Sequence, residues 1–388
     1  EIVNMKKLII AVLCAAIVLP PLSLKTSALS LSAVSAVLIE AETGTVLYEA
    51  NAYEKRAMAS TTKIMTAILT IEAGDLDREF TVDSYAIMVE GTTMGLRQGD
   101  RVSRRDLLYG ILLPSGNDAA NAAAVSVSGS TGAFVELMNA KAEELGLKDT
   151  HFVTPSGLDA QGHYTTAYDL AMLTSYAMKN ETFREIVCCK SAKVEFGNPP
   201  YQRTLYNSNK MLRQYEGAIG VKTGFTDNAR RCLVSAAERD GVTLIAVTLN
   251  AGADWNDHAK MLDHGFTKVK SYPLDVAYEG RVAVAGTGQS TGVYAQPDNI
   301  SLTSKQCGNL TRRVLLPSMV YGEVKAGQQL GELEYLLDGK VVRTLPLLAD
   351  SDIEAESGSL NFIQKLLGHF GIYVFRLPEN SGRNRFSA

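Results

Sequence analysis

The sequence contains few of the residues that bind catalytic metals. Its five histidines form no His-Glu-x-x-His pattern, and its five cysteines show no metal-ligand spacing. Catalytic zinc is held by closely spaced histidine, cysteine or carboxylate side chains. A zinc enzyme is therefore not expected, and we expect neither a metal nor any other cofactor. His163 is the histidine that we expect nearest to a functional groove.

The cysteines also lack the pattern of a disulfide framework. Cys14 lies in an N-terminal segment that we expect to be cleaved, and the adjacent Cys188 and Cys189 are poorly placed to bridge each other. With Cys307, they are expected to be buried or free thiols. Cys232 lies on a predicted strand directly after one of the motifs described below, so it is the cysteine nearest to predicted chemistry.

An excess of positive charge is also missing. Lysine and arginine total 38 against 42 acidic residues, which gives a net charge of −4. Nucleic-acid-binding domains present clustered positive charge, so no nucleic-acid partner is expected.

The N-terminal apolar run, residues 8–22, is short and is interrupted by Pro20-Pro21. It follows Met5-Lys6-Lys7 and precedes the small residues Ser27-Ala28, which is the arrangement of a secretory signal. A membrane-spanning helix needs about 20 apolar residues. We expect residues 1–28 to be a signal region, with residues 1–4 an upstream extension and an uncleaved anchor as the alternative. The protein would then act at the extracytoplasmic face of the cell membrane or in the cell wall.

Three short motifs carry the functional signal. They are Ser60-Thr61-Thr62-Lys63, Ser115-Gly116-Asn117 and Lys222-Thr223-Gly224. Each is weak alone, since Ser-x-x-Lys arises by chance about once or twice in a chain of this length. The first motif begins a helix predicted over residues 57–73, and residues three apart on a helix share a face. The sequence therefore places a serine hydroxyl beside a lysine amine, which is the arrangement of an activated nucleophile.

In these motifs, and in segments 151–159 and 162–170, the chain resembles the low-molecular-mass penicillin-binding proteins, which are serine D-alanyl-D-alanine carboxypeptidases. The resemblance implies an α+β fold, with a β-lactamase/transpeptidase-like catalytic domain of antiparallel sheet and helical subdomain. A small all-β C-terminal domain would follow. It also implies removal of the terminal D-Ala from peptidoglycan stem pentapeptides through an acyl-enzyme, with β-lactams as inhibitors.

The resemblance further implies a role for each motif residue. Ser60 would be the nucleophile and Lys63 its base, with a pKa lowered by burial and by a nearby Lys222. Ser115 would relay a proton to the leaving amine, hydrogen-bonded between the two lysines, and Asn117 would accept from Lys63 and donate to the substrate. The backbone N–H groups of Ser60 and Phe225 would bind the oxyanion. The expected catalytic residues are Ser60, Lys63, Ser115, Asn117 and Lys222, and the expected substrate-binding residues are Lys222, Thr223, Gly224 and Phe225.

The chain departs from some relatives at three places. Ser156 and Phe225 stand where those relatives have histidine, and segment 254–258 lacks an arginine that helps to bind the substrate carboxylate. The remaining candidates for carboxylate recognition are Thr223 and Lys222 alone, or either of Arg230 and Arg231.

Hydrophobic periodicity predicts strands at both ends of the catalytic part and helices between them. The expected strands are a hairpin over 32–50 and strands at 220–224, 232–238 and 242–250; the expected helices are 104–113, 118–127, 132–145, 166–179 and 255–269. The expected domains are 29–271 (catalytic), 272–352 (β-rich) and 353–388 (tail).

The tail has an amphipathic pattern. Leu360, Ile363, Leu367, Phe370 and Val374 fall on one helical stripe that is too short to cross a bilayer but could lie in its surface. We expect a membrane-surface anchor here, with docking on the β-rich domain as the alternative.

Other activities could use the same scaffold. A serine β-lactamase usually needs a glutamate that activates the deacylating water; no convincing counterpart is found, and the appended β-rich domain also argues against it. A D,D-endopeptidase remains an alternative. A non-catalytic wall-binding relative would be expected to have lost Ser60, Lys63 or Lys222, and all three are present.

Overall fold

The computed structural model describes residues 29–354, 374–375 and 380–383. The predicted signal region and most of the predicted tail stripe lie outside the described residues. Val374, the last member of that stripe, lies in a short strand and not in a helix.

The strands of the described chain are numbered in chain order. They are β1 Ser35–Glu40, β2 Val46–Ala50, β3 Glu79–Thr81, β4 Arg101–Ser103, β5 Ser191–Gly197, β6 Pro200–Tyr206, β7 Ala218–Thr226, β8 Arg230–Arg239, β9 Val242–Leu249, β10 Val269–Pro273, β11 Arg281–Val284, β12 Ser290–Tyr294, β13 Asn299–Thr303, β14 Leu310–Leu315, β15 Pro317–Val320, β16 Gln329–Leu337, β17 Lys340–Ala349, β18 Val374–Phe375 and β19 Asn380–Arg383.

The helices are numbered in the same way. They are α1 Lys63–Glu72, α2 Arg104–Leu112, α3 Asn117–Ser128, α4 Thr131–Glu144, α5 Ala167–Met178, α6 Glu181–Cys188, α7 Met211–Gln214, α8 Asp254–Phe266 and α9 Ser304–Cys307, with a 3₁₀ turn over Ala59–Thr62 before α1. Among the described residues, no helix is long and apolar enough to cross a membrane.

The main sheet has the order β2-β1-β9-β8-β7, and every neighbouring pair is antiparallel. The predicted hairpins and the position of β7 at the sheet edge are therefore confirmed. Helix α8 packs against this sheet. It ends at Phe266, earlier than predicted, because Val269 already belongs to β10.

The helical part surrounds α1. Residues Lys63 to Ile71 of α1 are all buried, as expected for a helix enclosed by other elements. Helices α2, α3, α4, α5 and α6 contact it. A small sheet of order β3-β4-β5-β6 lies in this part of the chain. Helix α6 and the β5–β6 hairpin were not predicted, although Asn180 caps the start of α6 and Gly197-Asn198-Pro199 marks the hairpin turn.

The C-terminal region forms an eight-stranded sheet of order β18-β15-β11-β12-β17-β16-β14-β19. It has its own hydrophobic core, in which the fully buried Tyr335 donates from its hydroxyl to the Asp275 carbonyl at 2.8 Å. The predicted boundary at 271/272 falls inside β10, which pairs with β13 of the C-terminal region. Contacts such as Gln306 Nε2 to Thr45 Oγ1, 2.7 Å, join this region to the catalytic part.

Candidate active site

Ser60 lies in the 3₁₀ turn Ala59–Thr62 and not in the α-helix that was predicted to contain it. The α-helix begins at Lys63, so the first motif spans the junction between the two helix types. Ala59 has a φ of 48°, a left-handed conformation that is unusual for a residue other than glycine. Such conformations cost of order 1–3 kcal/mol and persist only where the surrounding structure enforces them. The turn leaves Ser60 partly exposed above a buried lysine.

The amine of Lys63 is surrounded by three oxygen atoms. Its Nζ lies 3.0 Å from Ser60 Oγ, 2.7 Å from Asn117 Oδ1 and 2.5 Å from the carbonyl oxygen of Ser156. The side chain of Lys63 has no solvent-exposed surface. Because the third contact uses the backbone of Ser156, the absence of histidine at this position leaves the contact in place.

Burial lowers the pKa of Lys63 well below its usual value, and the positive charge of Lys222 lowers it further. The predicted direction for Lys63 and the predicted influence of Lys222 are both confirmed. Lys222 is itself buried, and desolvation lowers its pKa to about 7. Taking an ammonium group out of water disfavours its charged form, so this site stabilises an uncharged amine beside the serine.

The second motif connects α2 to α3. Ser115 has a φ of 69°. Asn117 was predicted to lie in the connecting loop, but it is the first residue of α3. Asn117 Oδ1 faces Lys63, as expected, while its Nδ2 donates to the Glu90 carbonyl at 2.6 Å. The Ser115 hydroxyl is buried and makes no hydrogen bond within the described residues. Its predicted hydrogen bonds to the two lysines are therefore not formed in this structure.

Asp118, the residue after the second motif, holds a neighbouring loop in place. Its carboxylate accepts hydrogen bonds from the backbone N–H groups of Met94, Gly95 and Leu96 at 2.8–3.0 Å. The same loop includes Thr92, whose carbonyl accepts from the Asn117 N–H. Sequence reasoning missed this role for Asp118, because the N–H groups that donate to it are more than twenty positions away.

The third motif lies on the edge strand β7. Lys222 Nζ donates to the Thr223 carbonyl at 2.8 Å, and Thr223 Oγ1 lies 2.9 Å from Ser208 Oγ. A Cβ atom on Gly224 would lie 3.1 Å from the Ser60 nitrogen, so the glycine keeps β7 close to the nucleophile. Phe225, the next residue, is exposed. Ser208 was not predicted, and no motif of the sequence marks it.

The two candidate arginines differ in position. Arg231 pairs with Phe225 across the β7–β8 ladder, and Thr223 pairs with Leu233. Directly opposed residues and their i+2 neighbours share a sheet face, so Arg231 lies on the face of Thr223. The Nη2 of Arg231 lies 2.8 Å from Asp254 Oδ1, and its guanidinium lies over the Trp255 ring. Arg230 is exposed at the start of β8.

Two other residues lie close to the site without facing its groove. His163 is buried behind the 3₁₀ turn, where its Nε2 lies 2.8 Å from Thr62 Oγ1. Cys232 is buried beside Ala57, and burial raises the pKa of its thiol to about 11. Since the thiolate is the reactive form of cysteine, Cys232 is an inert packing residue. Among the described residues, no cluster of side chains could hold a metal ion.

A serine held against a buried lysine whose pKa is lowered by burial, at the junction of an antiparallel sheet and a helical part, defines a serine acyl-transfer enzyme. The family model of D-alanyl-D-alanine carboxypeptidase matches residues 23–253, and that of the penicillin-binding protein 5 C-terminal domain matches residues 266–355. The chain therefore belongs to the serine D-alanyl-D-alanine carboxypeptidase family of low-molecular-mass penicillin-binding proteins. The predicted family and enzyme class are confirmed.

Individual relatives agree with this assignment. D-alanyl-D-alanine carboxypeptidase DacF of Bacillus subtilis is 33% identical over 357 residues, which cover 89% of this chain and 91% of the relative. The crystal structure of the Streptomyces K15 DD-transpeptidase is 38% identical and superposes with a TM-score of 0.59, covering 61% of this chain and 98% of that one. DacD from Francisella tularensis is 26% identical with a TM-score of 0.61, covering 88% and 98%. The predicted fold class is confirmed.

Proposed function

We propose that this carboxypeptidase removes the terminal D-Ala from peptidoglycan stem pentapeptides through an ester formed on Ser60. Peptidoglycan peptides and β-lactams are the ligands that the family implies. The finer proposal concerns which residues carry out each step, and it rests on the geometry around Lys63.

The coordination of Lys63 carries the proposal. Asn117 Oδ1 and the Ser156 carbonyl can only accept hydrogen bonds, so each takes one N–H of the amine. A neutral amine has two N–H groups and one lone pair. The lone pair is then left for the third neighbour, the Ser60 hydroxyl at 3.0 Å. This is the arrangement that a base needs to accept the proton of a serine nucleophile.

The acylation step follows from this arrangement. The Ser60 oxygen forms a bond to the carbonyl carbon of the penultimate D-Ala while its proton passes to Lys63. The negative charge that develops on the carbonyl oxygen is bound by the backbone N–H groups of Ser60 and Phe225. The carbon–nitrogen bond then breaks as the departing amine takes up the proton that Lys63 accepted, with the Ser115 hydroxyl, which has no hydrogen-bond partner among the described residues, as the proposed relay. Water hydrolyses the ester, which releases the shortened peptide and restores Ser60.

The terminal carboxylate of the substrate needs cationic or hydroxyl donors. Thr223 and Ser208 present two neighbouring hydroxyl groups. Lys222 supplies only part of a positive charge at neutral pH, because burial lowers its pKa to about 7. We include the guanidinium of Arg231 in the carboxylate site for this reason, since it lies on the Thr223 face of the sheet, where Asp254 holds it.

Intact-mass spectrometry after addition of penicillin tests the proposal. The wild-type protein should gain the mass of one penicillin, and Ser60→Ala should gain none. Lys63→Ala should fold but acylate far more slowly, because its base is missing. Labelling that survives in Ser60→Ala would remove Ser60 from the role of nucleophile.

The reaction products distinguish the carboxypeptidase from two alternative activities. Rapid release of hydrolysed penicillin would favour a serine β-lactamase, whereas a long-lived adduct favours the carboxypeptidase. The Streptomyces K15 relative is described as a DD-transpeptidase, which favours testing amine acceptors as well. Incubation with a pentapeptide and an excess of glycine should yield free D-Ala and a tetrapeptide; a glycine-extended product would indicate transpeptidation.

Export is part of the proposal, since peptidoglycan lies outside the cytoplasm. The charged start, apolar run and small residues of segment 5–28 support it, and the amphipathic pattern of segment 360–374 supports contact with the membrane surface. Determination of the mature N-terminus, and fractionation of cells that express the chain with and without residues 355–388, test both points. A mature chain that still begins before residue 28 would contradict cleavage.

A further inference from the structure

A directed chain of hydrogen bonds ends at the peptide group that precedes the nucleophile. The Val153 N–H donates to His163 Nδ1 at 2.9 Å, so this ring nitrogen is an acceptor and carries no proton. The proton of the neutral ring is therefore on Nε2, which lies 2.8 Å from Thr62 Oγ1. Thr62 in turn donates its own proton to the Ala59 carbonyl at 2.8 Å. The position of the proton in each of these three hydrogen bonds is thereby assigned.

The acceptor at the end of this chain is the other half of the Ser60 amide. The Ala59 carbonyl and the Ser60 N–H belong to one planar peptide group, in which they point in opposite directions. Fixing the carbonyl therefore fixes the direction of the N–H. The left-handed φ of Ala59, 48°, is unfavourable for alanine, so the peptide needs partners that hold it in this orientation.

Close packing against two glycines also supports this orientation of the Ala59–Ser60 peptide. Gly157 lies so close to this peptide that a Cβ there would be 2.1 Å from the Ala59 oxygen. On the opposite side, a Cβ on Gly224 would be 3.1 Å from the Ser60 nitrogen. Gly157 therefore lies against the carbonyl side of this peptide, and Gly224 lies on its N–H side, where the substrate carbonyl must enter.

We propose that His163 is a positioning residue which, through the Thr62 hydroxyl, orients the Ala59–Ser60 peptide so that the Ser60 N–H binds the oxyanion. This inference rests on the proposed acyl-enzyme at Ser60. His163 touches neither the substrate nor Ser60 and acts only through Thr62. Hydrogen bonds in a chain polarise one another, so the same arrangement strengthens the Ser60 N–H as a donor.

Thr62→Val and Thr62→Ser form the matched pair that tests the inference. Valine keeps the shape of threonine and removes its hydroxyl, whereas serine keeps the hydroxyl. Thr62→Val should slow penicillin acylation by about 10- to 100-fold, somewhat less than the loss of a whole oxyanion donor, and Thr62→Ser should acylate nearly as fast as wild type. Wild-type acylation by Thr62→Val would overturn the inference.

A peptidyl boronic acid gives a readout that a purely structural role would not change. Its tetrahedral adduct on Ser60 places a boron-bound oxygen in the position of the oxyanion. Thr62→Val should weaken boronate binding by about the same factor as it slows acylation, with Thr62→Ser restoring both. Slower acylation with unchanged boronate affinity would contradict a role at the oxyanion.

His163 variants decide the question if Thr62→Val does not fold. Asparagine can accept from the Val153 N–H but is too short to reach Thr62, whereas the longer glutamine can still donate to Thr62. His163→Asn should acylate slowly and His163→Gln nearly normally; equal rates would overturn the inference. His151→Asn, at an exposed histidine, is the control. Penicillin labelling of Ser60→Ala would instead contradict the proposed nucleophile, so the two failures are distinguishable.

Discussion

Lys63 and Asn117 are 54 positions apart in the sequence, yet the lysine Nζ lies 2.7 Å from the asparagine Oδ1. Both side chains are buried, and each comes from the first residue of a helix. The amide oxygen takes one N–H of the lysine without adding a charge. Asparagine therefore fixes the direction of the amine and leaves its pKa to burial and Lys222, which lower it, and to Asp118, which raises it.

Replacing Asn117 by aspartate should place a charged side chain where the uncharged amide now contacts Lys63. Asn117→Asp keeps the shape and the acceptor but adds a negative charge, which favours the charged form of Lys63 and raises its pKa. The acid limb of the pH profile for penicillin acylation should move to higher pH. The measurement is the acylation rate constant from pH 5 to pH 10.

Asn121→Asp is the matched control, because Asn121 lies one turn further along α3 and donates to the Ala86 carbonyl. Its acylation profile should match that of the wild type. A limb that stays in place in Asn117→Asp would mean that Lys63 is not the group that sets it.

Arg231 should distinguish substrates by their terminal carboxylate. Arg231→Gln is expected to lower kcat/KM for a peptide ending in free D-Ala by about 10- to 100-fold, as for loss of a charged hydrogen bond. The same peptide with a C-terminal amide should be affected far less by the substitution. Arg230→Gln is the control, since Arg230 lies outside the face that Arg231 shares with Thr223. Equal effects of the two substitutions would refute the assignment.

Gly157 should not tolerate a methyl group. In Gly157→Ala, the new Cβ would lie 2.1 Å from the Ala59 oxygen, and the residue has a φ of +84°. Gly74→Ala is matched in backbone strain, with a φ of +71°, but nothing lies within 4 Å of its Cβ. Both variants should lose about 1 kcal/mol from the left-handed conformation, whereas only Gly157→Ala should also lose penicillin acylation and a further part of its stability. Thermal unfolding and acylation rates measure the difference, and identical behaviour of the two variants would disprove the clash.

Buried neutral histidines should make the protein less stable in acid. Burial lowers the pKa of His258 to about 3 and that of His163 to about 4, whereas an unfolded histidine has a pKa of about 6.5. The unfolded chain then binds more protons than the folded one between these values, so stability falls as the pH drops from about 6.5 toward 3. Above pH 6.5, this contribution is fully present.

Thermal melts of the wild type and of His258→Gln between pH 8 and pH 4 test this dependence. The melting temperature of the variant should change less with pH, even if it is lower at neutral pH. Its partner Thr248 lies 2.9 Å from His258 Nε2, and glutamine can replace that hydrogen bond. Parallel melting curves for the two proteins would show that His258 titrates normally.

Local sequence patterns were sufficient to predict the helices and strands whose hydrophobic periodicity is strong. The β8–β9 hairpin has an Asp240-Gly241 turn between alternating strands, and α1 and α5 have clear apolar faces. The same reasoning placed the 3₁₀ turn inside a helix, because the spacing of Ser60 and Lys63 fits both helix types. It missed α6 and the β5–β6 hairpin, although the sequence marks both locally, with Asn180 at the start of α6 and Gly197-Asn198-Pro199 in the hairpin turn.

The sequence alone determined the chemistry available to this protein. Three ordered motifs supply a hydroxyl, two amines and an amide, and residues three apart near a helix start must lie on one side. Only the tertiary structure decided how those groups act. Burial lowers the pKa of the Lys63 amine, the Ser156 carbonyl accepts one of its N–H groups, and Arg231 rather than Arg230 comes to the face of Thr223. These properties depend on desolvation and on contacts between distant segments, which arise only when the chain folds.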